Sequence, residues 1–380
     1  PSPVPSVIVA FTGAERFTKN VSDASSIVSC RIGTSIVVDV LPAHRFDEAK
    51  LRAYLEPHLD GVGSSFTVKQ FQGGQSNPTF ALDSPSHRLV LRSKPGPVAQ
   101  LLPSAHAVER EYRVISALAQ TDVPVPRVYA LCEDESVLGR MFYVMERVEG
   151  RIFWNAALPD LQPDERAAIY AAMNRTIAAL HAVDPAAVGL ADYGAAGNYF
   201  ARQIGRWTKQ YRAAETETIE AMERLIEWLP TRIPEDDATR IVHGDFRIDN
   251  LVFHPSEPRV VAVLDWELST LGHPLADFAY HCLAWFTPPG IMRGLAGLDI
   301  NALGIPRLED YIGDYCRATG RAGGIPDMPF YLAYNLFRLA GIAQGIAKRA
   351  QQGTASSAQA VETGKLARPV AELGWKLAQG

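Results

Sequence analysis

Short apolar segments alternate with polar turns through the first 150 residues, which is typical of a strand-rich region. Residues 46–59 predict a helix, because leucines recur at every fourth position from Leu51 to Leu59. The segment "FTVKQFQGGQSNPTFALDS" predicts two strands with a turn-rich connection, and "HRLVLRSKPG" predicts a third. A helix is expected at about 105–120, and two more strands in "VPVPRVYALCED" and "GRMFYVMERVEG". We therefore expect a β-rich lobe with one central helix.

After Gly150 the pattern becomes that of helices. The segment "PDERAAIYAAMNRTIAALHAV" is rich in alanine and predicts a long helix that begins near Pro163. Further helices are predicted in "NYFARQIGRWTKQYRAA", "TETIEAMERLIEWLPTR", "LEDYIGDYCRATG", "MPFYLAYNLFRLAGIAQGIAKRAQQ" and near 357–378. A strand-rich insert at 241–267 interrupts them. The pattern predicts a mostly helical second lobe.

Residues 1–45 show no clear period, although "SVIVAF" and "TSIVVDVL" are candidate short strands. We interpret them as an N-terminal extension of unknown role. The pattern thus divides the chain into this extension, a β-rich lobe at 46–150 and a helical lobe at 151–380. A length of 380 residues also favours two domains or lobes, since domains usually have roughly 100–200 residues.

The composition of the chain argues against binding to nucleic acids or membranes. Apolar residues make up 47% of the chain, and 37 Lys and Arg stand against 42 Asp and Glu, for a net charge of −5. A general binder of nucleic acid or membrane surfaces usually carries a basic excess, so we expect neither partner. No apolar run approaches the roughly 18 residues of a membrane span, and no basic residue precedes "VIVAF" as in a secretory signal. We therefore expect a cytoplasmic protein.

The four cysteines are scattered. Cys30, Cys132, Cys282 and Cys316 include no pair at C-x-x-C spacing, which argues against zinc and thioredoxin-like sites. We expect them to be reduced thiols, as is usual in the cytosol.

The chemistry concentrates in "IVHGDFRIDNLVFHPSEPRVVAVLDWE", residues 241–267, where polar residues stand at the ends of apolar strands. An antiparallel pair formed by "LVF" and "VVAVL" would bring Asn250 and Asp265 together at its open end. An amide and a carboxylate oxygen are ligands that Mg²⁺ prefers, and they leave room for the phosphates of a nucleotide. Asp245 stands five residues before Asn250, where a carboxylate could accept the proton of an attacking hydroxyl.

An isolated His-Gly-Asp occurs by chance, and Asp or Asn beside a turn usually serves the turn. The full order of a base, an amide ligand, a hairpin and a carboxylate ligand is more demanding. It is the order of the catalytic loop of protein kinases, and it favours phosphoryl transfer.

The chain resembles the aminoglycoside phosphotransferase and choline-kinase-like superfamily over about residues 48–375. Within it, "HGDFRIDNLVF", "LDWELSTLGHPLADFAY" and "VEREYRVISAL" resemble the kinase-like domains found fused to, or beside, acyl-CoA dehydrogenases. The resemblance implies an α+β, protein-kinase-like two-lobe fold with a β-rich, nucleotide-binding N-lobe and a mostly helical C-lobe.

The resemblance also implies roles for single residues. Asp245 matches the catalytic base, and Asn250 and Asp265 match the metal ligands. For His243 we favour a structural role in packing the loop over proton transfer. Asp277 matches an acid that braces the catalytic loop, and a plain acid in the first turn of a helix is an equal alternative.

In the N-lobe, Ser76 and Asn77 lie in the Gly-rich turn that matches the phosphate-covering loop, although a plain hairpin turn would look the same. Strand alternation places Arg92, rather than Lys94, at the position where kinases carry a lysine. Its partner should be Glu111, on the apolar face of the predicted helix. We expect Glu109 to meet solvent.

The hinge of the resembled fold falls in "FYVMERVEG", where backbone groups of Glu146 and Val148 would hydrogen-bond to adenine. The resemblance thus predicts a kinase that uses ATP and Mg²⁺. The basic, amphipathic segment 335–352 suits a neutral or anionic acceptor, such as a hydroxy acid or hydroxyacyl-CoA. A functional link to an acyl-CoA dehydrogenase is expected. An aminoglycoside-type acceptor, a non-catalytic ATP-binding module and a metal-dependent phosphohydrolase remain alternatives.

Overall fold

The computed structural model describes residues 37–60, 66–71, 77–95, 107–289, 291–353 and 360–380. The strands are β1 (Val37–Val38), β2 (Thr67–Phe71), β3 (Thr79–Asp83), β4 (Arg88–Ser93), β5 (Val128–Cys132), β6 (Phe142–Glu146), β7 (Arg240–Val242), β8 (Leu251–Phe253), β9 (Val260–Val263) and β10 (Thr270–Gly272).

The helices are α1 (Glu48–Leu55), α2 (Val108–Leu118), α3 (Glu135–Leu138), α4 (Pro163–Ala182), α5 (Tyr199–Ala214), α6 (Glu220–Trp228), α7 (Pro274–Cys282), α8 (Ile300–Leu303), α9 (Leu308–Ala318), α10 (Met328–Gln351), α11 (Ala360–Lys365) and α12 (Ala367–Ala378). The predicted α+β class is confirmed.

Two compact units divide the chain. The first unit contains residues up to Asp160 together with Arg247–Ser269, and the second contains Leu161–Phe246 and Thr270–Gly380. The hairpin of β8 and β9 therefore belongs to the same unit as the N-terminal sheet. The predicted division at 46–150 and 151–380 stays a prediction.

The first unit is built on a six-stranded antiparallel sheet with the order β1-β2-β3-β4-β6-β5. Strand β1 lies within the predicted strand "TSIVVDVL" and pairs with β2, whereas "SVIVAF" lies outside the described residues. Helix α1 begins where the Asp47 carboxylate accepts hydrogen bonds from the backbone of Ala49 and Lys50. It packs its leucines on one face of the sheet, in a core cluster with Phe80, Leu91 and Phe142.

Alternation along β4 and β6 decides which side chains face away from that cluster. Leu91 and Phe142 belong to the cluster, and the next residues, Arg92 and Tyr143, point to the opposite face. Helix α2 packs near β5 and β6 and buries Glu111 among its apolar side chains. The fold thereby brings a polar group of α2 to the face that carries Arg92.

The second unit is mostly helical, as predicted for this part of the chain. Its central element is α10, which packs against α5, α7, α11 and α12 and is buried for most of its length. Helix α4 begins at Pro163, where the Gln162 backbone N–H donates to the Glu165 carboxylate. The short strands β7 and β10 form an antiparallel pair, and residues 243–246 follow β7.

No helix in the described ranges is long and apolar enough to cross a membrane. Cys132, Cys282 and Cys316 are buried free thiols, as predicted, and Cys30 lies outside the described residues.

Candidate functional site

The predicted hairpin forms with its two polar residues at the open end. Leu251 pairs with Val263 and Val252 with Ala262, and the Leu264 backbone N–H donates to the Asn250 carbonyl oxygen at 2.8 Å. Asn250 directly precedes β8, and Asp265 follows the end of β9 by two residues. The antiparallel pairing of the hairpin is confirmed, but its register places Asn250 opposite Leu264 rather than Asp265. Metal binding itself stays a prediction.

Asp265 occupies an unusual backbone conformation. Its φ is 68°, in the left-handed region that side chains rarely adopt and that Asp and Asn tolerate best. The fully buried Trp266 follows it, and the indole Nε1 donates to the Val263 carbonyl oxygen at 2.9 Å. This contact anchors the turn that carries Asp265. Strained positions of this kind concentrate at functional sites.

Arg92 joins three carboxylates in the first unit. Its Nη2 donates to Asp265 Oδ1 at 2.9 Å and to Glu267 Oε2 at 3.1 Å, and its Nε lies 3.0 Å from Glu111 Oε2. The predicted Arg92–Glu111 ion pair is confirmed. The contacts with Asp265 and Glu267 were not predicted.

The Glu111 carboxylate is held on both oxygens. The Asn77 side-chain amide donates to Oε1 at 3.0 Å, and the Tyr143 hydroxyl donates to Oε2 at 3.2 Å. Burial raises the pKa of Glu111, and the Arg92 charge acts in the opposite direction. Burial would lower the pKa of Arg92, but Glu111 and Asp265 raise it overall, so the guanidinium stays charged.

Other predicted N-lobe residues have mixed outcomes. Asn77 is buried and contacts Glu111, and its role toward phosphate stays a prediction. Ser76 lies outside the described residues. Glu109 is partly exposed, in agreement with the prediction that it meets solvent, and its carboxylate also pairs with Lys94 at 3.0 Å, which was not predicted.

At the predicted hinge, the Glu146 N–H donates to the Arg127 carbonyl oxygen at 2.8 Å. Because that N–H is already bonded, the backbone groups that stay candidates for the predicted adenine contact are the Glu146 carbonyl oxygen and those of the half-buried Val148.

Residues 243–246 form the candidate catalytic loop of the second unit. Asp277, in the first turn of α7, accepts hydrogen bonds from the backbone N–H groups of His243 at 2.7 Å and Gly244 at 2.8 Å. It thus both braces the loop and occupies the first turn of a helix, so the two alternatives hold together. Gly244 has a φ of 83°, which favours glycine at the bend.

Asp277 also contacts His181, whose Nε2 lies 3.3 Å from Oδ2. Burial would raise the pKa of Asp277, but the hydrogen bonds and charges of His181 and His243 lower it overall. His243 is fully buried, and its Nδ1 accepts a hydrogen bond from the Asp245 backbone N–H at 3.2 Å. These contacts fit the structural role that we favoured for His243.

The Asp245 carboxylate is mostly buried, and Oδ1 accepts a hydrogen bond from the Tyr280 hydroxyl at 2.5 Å. Arg338 donates from Nη2 to the Gly244 carbonyl oxygen at 2.9 Å and lies over the Tyr280 ring, 5.3 Å from its centroid. These contacts were not predicted from the sequence. Tyr280 follows Asp277 by three positions on one helix, so it lies on the same face and could have been found.

The structure also corrects the predicted basic surface on 335–352. Arg338 is buried, and Lys348 donates to the Ala213 carbonyl oxygen near the end of α10. The apolar positions of this segment belong to the core of the second unit.

The predicted site residues fall into both units. Asn250 and Asp265 belong to the first, and Asp245 belongs to the second. The predicted gathering of these three residues stays a prediction.

Comparison with known proteins agrees with these features. A model of the phosphotransferase enzyme family (APH) matches residues 67–326. Acyl-CoA dehydrogenase family member 10 of Mus musculus is 50% identical over 331 residues, which are 85% of this chain and 31% of that protein. Family member 11 of Homo sapiens is 44% identical over 352 residues, 91% of this chain and 45% of that protein. The chain thus spans less than half the length of these curated relatives.

Solved structures show the same fold. A candidate aminoglycoside phosphotransferase from Ralstonia eutropha is 57% identical, with a TM-score of 0.81, over 88% of this chain and 99% of that one. The aminoglycoside phosphotransferase APH(4)-Ia, in complex with AMP-PNP and hygromycin B, is 16% identical, with a TM-score of 0.58, over 87% of this chain and 99% of that one. At that identity the likeness concerns the fold alone. The predicted protein-kinase-like fold and the predicted family resemblance are confirmed.

Proposed function

The chain belongs to the phosphotransferase enzyme family, and from that premise we propose that it is a small-molecule kinase that transfers the γ-phosphoryl group of ATP to a hydroxyl. The observation that supports this most directly is the geometry of the loop that carries Asp245. Asp277 holds this loop by accepting hydrogen bonds from two of its backbone N–H groups, and the Tyr280 hydroxyl orients the Asp245 carboxylate. A carboxylate with this support is suited to accept a proton in one fixed direction.

In the proposed reaction, the acceptor oxygen attacks the γ-phosphorus of ATP. A new O–P bond forms, the bond from the γ-phosphorus to the β,γ-bridging oxygen breaks, and ADP leaves with that electron pair. Asp245 accepts the proton of the acceptor hydroxyl. Asn250 and Asp265 would hold Mg²⁺, and their amide and carboxylate oxygens are the donor types that this ion prefers. The ion would neutralise phosphate charge.

On the nucleotide side, we propose that Arg92 acts on ATP phosphate and on the orientation of Asp265. The support is its permanent charge and the three carboxylates that fix its position. Asn77 and Ser76 would contact phosphate, and backbone groups of Glu146 and Val148 would contact adenine.

We propose that the acceptor is a hydroxy acid or its CoA thioester, and that the protein works beside an acyl-CoA dehydrogenase. The names of the relatives at 44–50% identity support this link. The description of the Ralstonia eutropha protein favours a second candidate, an aminoglycoside. A chain that bound ATP without turnover, or hydrolysed it regardless of acceptor, would instead be a binding module or a phosphohydrolase.

The test measures ADP formation with Mg²⁺, ATP and a panel of hydroxyacyl-CoAs, free hydroxy acids and kanamycin, with the phosphorylated product identified by mass spectrometry. Asp245→Asn should lower kcat at least about 100-fold and leave Mg·ATP binding by calorimetry nearly unchanged. Asp310→Asn, an exposed acid on α9, is the matched control and should keep full activity. Full activity of Asp245→Asn would refute the assigned base, and turnover of kanamycin alone would refute the acyl acceptor.

A further inference from the structure

Arg338 is a charged side chain in the middle of a buried helix. It is 9% exposed, and its neighbours along α10, from Asn335 to Ile342, are buried as well. Removing a guanidinium from water costs several kcal/mol unless acceptors replace the lost water. A leucine or methionine at this position would fill the core without that cost. The presence of arginine here therefore calls for an explanation beyond packing.

The protein supplies few acceptors to this guanidinium. Within the described residues, its one hydrogen bond runs from Nη2 to the Gly244 carbonyl oxygen, and it forms no ion pair with a carboxylate. An arginine carries five N–H donors. Most of the donors of this buried cation are thus not used by the described part of the chain.

The groups around Arg338 belong to the candidate catalytic loop and to aromatic side chains. Its guanidinium lies over the Tyr280 ring, and the hydroxyl of that same tyrosine donates to Asp245. Burial would lower the pKa of Arg338, but Tyr334, Tyr280, Tyr199 and Asp245 raise it overall. The side chain therefore remains a cation next to the proposed base.

We propose that Arg338 binds an acyl oxygen of the acceptor, either the carboxylate of a hydroxy acid or the carbonyl of its thioester. This inference rests on the proposed kinase function and adds a specificity-determining residue to it. An acceptor with its hydroxyl at Asp245 would place its acyl oxygen at the unused N–H donors of Arg338. An alcohol without an acyl oxygen would leave those donors unfilled and would bind more weakly.

The geometry also separates this role from that of a simple loop brace. The single bond to the Gly244 carbonyl oxygen needs one donor, which a lysine can supply. Binding of a planar acyl group by two parallel N–H donors needs the arginine fork. Arg338→Lys should therefore keep the loop in place and still lose acceptor affinity.

The experiment compares the wild type with Arg338→Lys and Arg338→Met. The acceptors are a short-chain hydroxyacyl-CoA, the corresponding free hydroxy acid, the matching alkanol without an acyl group, and kanamycin. The wild type should phosphorylate an acyl acceptor and discriminate against the alkanol. Both variants should raise KM for the acyl acceptor by about 10- to 100-fold and change KM for ATP by less than about twofold. Whichever of the free acid and the thioester shows the larger change identifies the group that Arg338 binds.

Arg166→Met is the matched control, because Arg166 is also buried in the second unit and donates to a backbone carbonyl, that of Leu303. It should keep the KM values of the wild type. Melting temperatures of all variants show whether they fold. A wild type that uses kanamycin or the alkanol as well as the acyl acceptor would overturn the inference and leave the kinase function intact. Equal losses toward ATP and every acceptor in Arg338→Lys would also overturn it. No ADP with any acceptor would refute the kinase function itself.

Discussion

Arg92→Met tests whether the buried ion pair with Glu111 stabilises the first unit. The Glu111 side chain is 2% exposed, so removal of Arg92 leaves a carboxylate in a site with almost no water. Breaking a buried pair in this way typically costs about 3–5 kcal/mol. The Asp265 and Glu267 side chains are 35% and 21% exposed, so solvent should replace much of what they lose. We therefore expect the free energy of unfolding to fall by about 3–5 kcal/mol, mostly through Glu111.

Two further variants separate the pair from the loss of packing. Arg88→Met is the control on the same strand, because Arg88 and Glu149 are each 63% exposed, and it should cost less than about 1 kcal/mol. The double variant Arg92→Met/Glu111→Gln no longer buries a lone charge. It should therefore be more stable than Arg92→Met alone, with a coupling of about 1–3 kcal/mol.

The assay is urea unfolding followed by circular dichroism, together with hydrogen exchange of the amides in β4 and α2 to assign the loss to the first unit. The reasoning would be refuted if Arg92→Met lowered the free energy of unfolding by less than about 1 kcal/mol. It would also be refuted if the loss in the double variant equalled the sum of the losses in the two single variants.

Three further predictions follow from the site. The free energy of unfolding of Asp265→Asn should be within about 1 kcal/mol of that of the wild type, since Asn tolerates the left-handed backbone. The variant should nevertheless lose the rise in melting temperature that Mg·ATP causes, and an unchanged rise would show that Asp265 is not a metal ligand. Asp277→Asn should lower the free energy of unfolding by about 2–3 kcal/mol, because a neutral amide accepts the two loop N–H groups poorly, and urea titration checks this. Burial lowers the pKa of His273 and of His281 to about 4, so both rings are neutral when folded, and stability is full above about pH 6.5. The free energy of unfolding should fall by up to about 1.4 kcal/mol per pH unit for each ring as the pH is lowered from about 6.5 to 4. Urea unfolding at a series of pH values measures this, and a free energy that stays constant over that range would contradict it.

Local patterns were sufficient where one element decided the outcome. The alternation of β4 places Arg92 on the face opposite Leu91, the helical spacing of α2 places Glu111 among its apolar residues, and the two meet as predicted. The antiparallel pairing of the hairpin followed likewise from two apolar runs and the turn between them. In contrast, β7, β10 and α8 were not predicted, because segments of three or four residues carry too little periodicity to stand out.

The remaining contacts depend on pairing between distant parts of the chain. Tyr143 reaches the Arg92 network from β6 and Glu267 reaches it from the turn after β9, and no local pattern specifies that meeting. Arg338 had a local signal, a single cation inside the apolar run "NLFRLAGIA", that was interpreted as part of a basic surface. The tertiary packing of α10 buried it, and a charge on an otherwise apolar helix would have been the better guide.

Three residues occupy positions that are unfavourable for folding. Asp265 holds a left-handed backbone, Glu111 is a carboxylate in an apolar layer, and Arg338 is a cation inside a buried helix. Each costs folding free energy that a glycine or an apolar residue at the same position would avoid. Natural sequences depart from local stability rules mainly at functional positions. Asp265 and Glu111 are predicted site residues from strand and helix spacing together with the family resemblance. The third shares the same energetic signature, which is why we assign it to the acceptor rather than to the core.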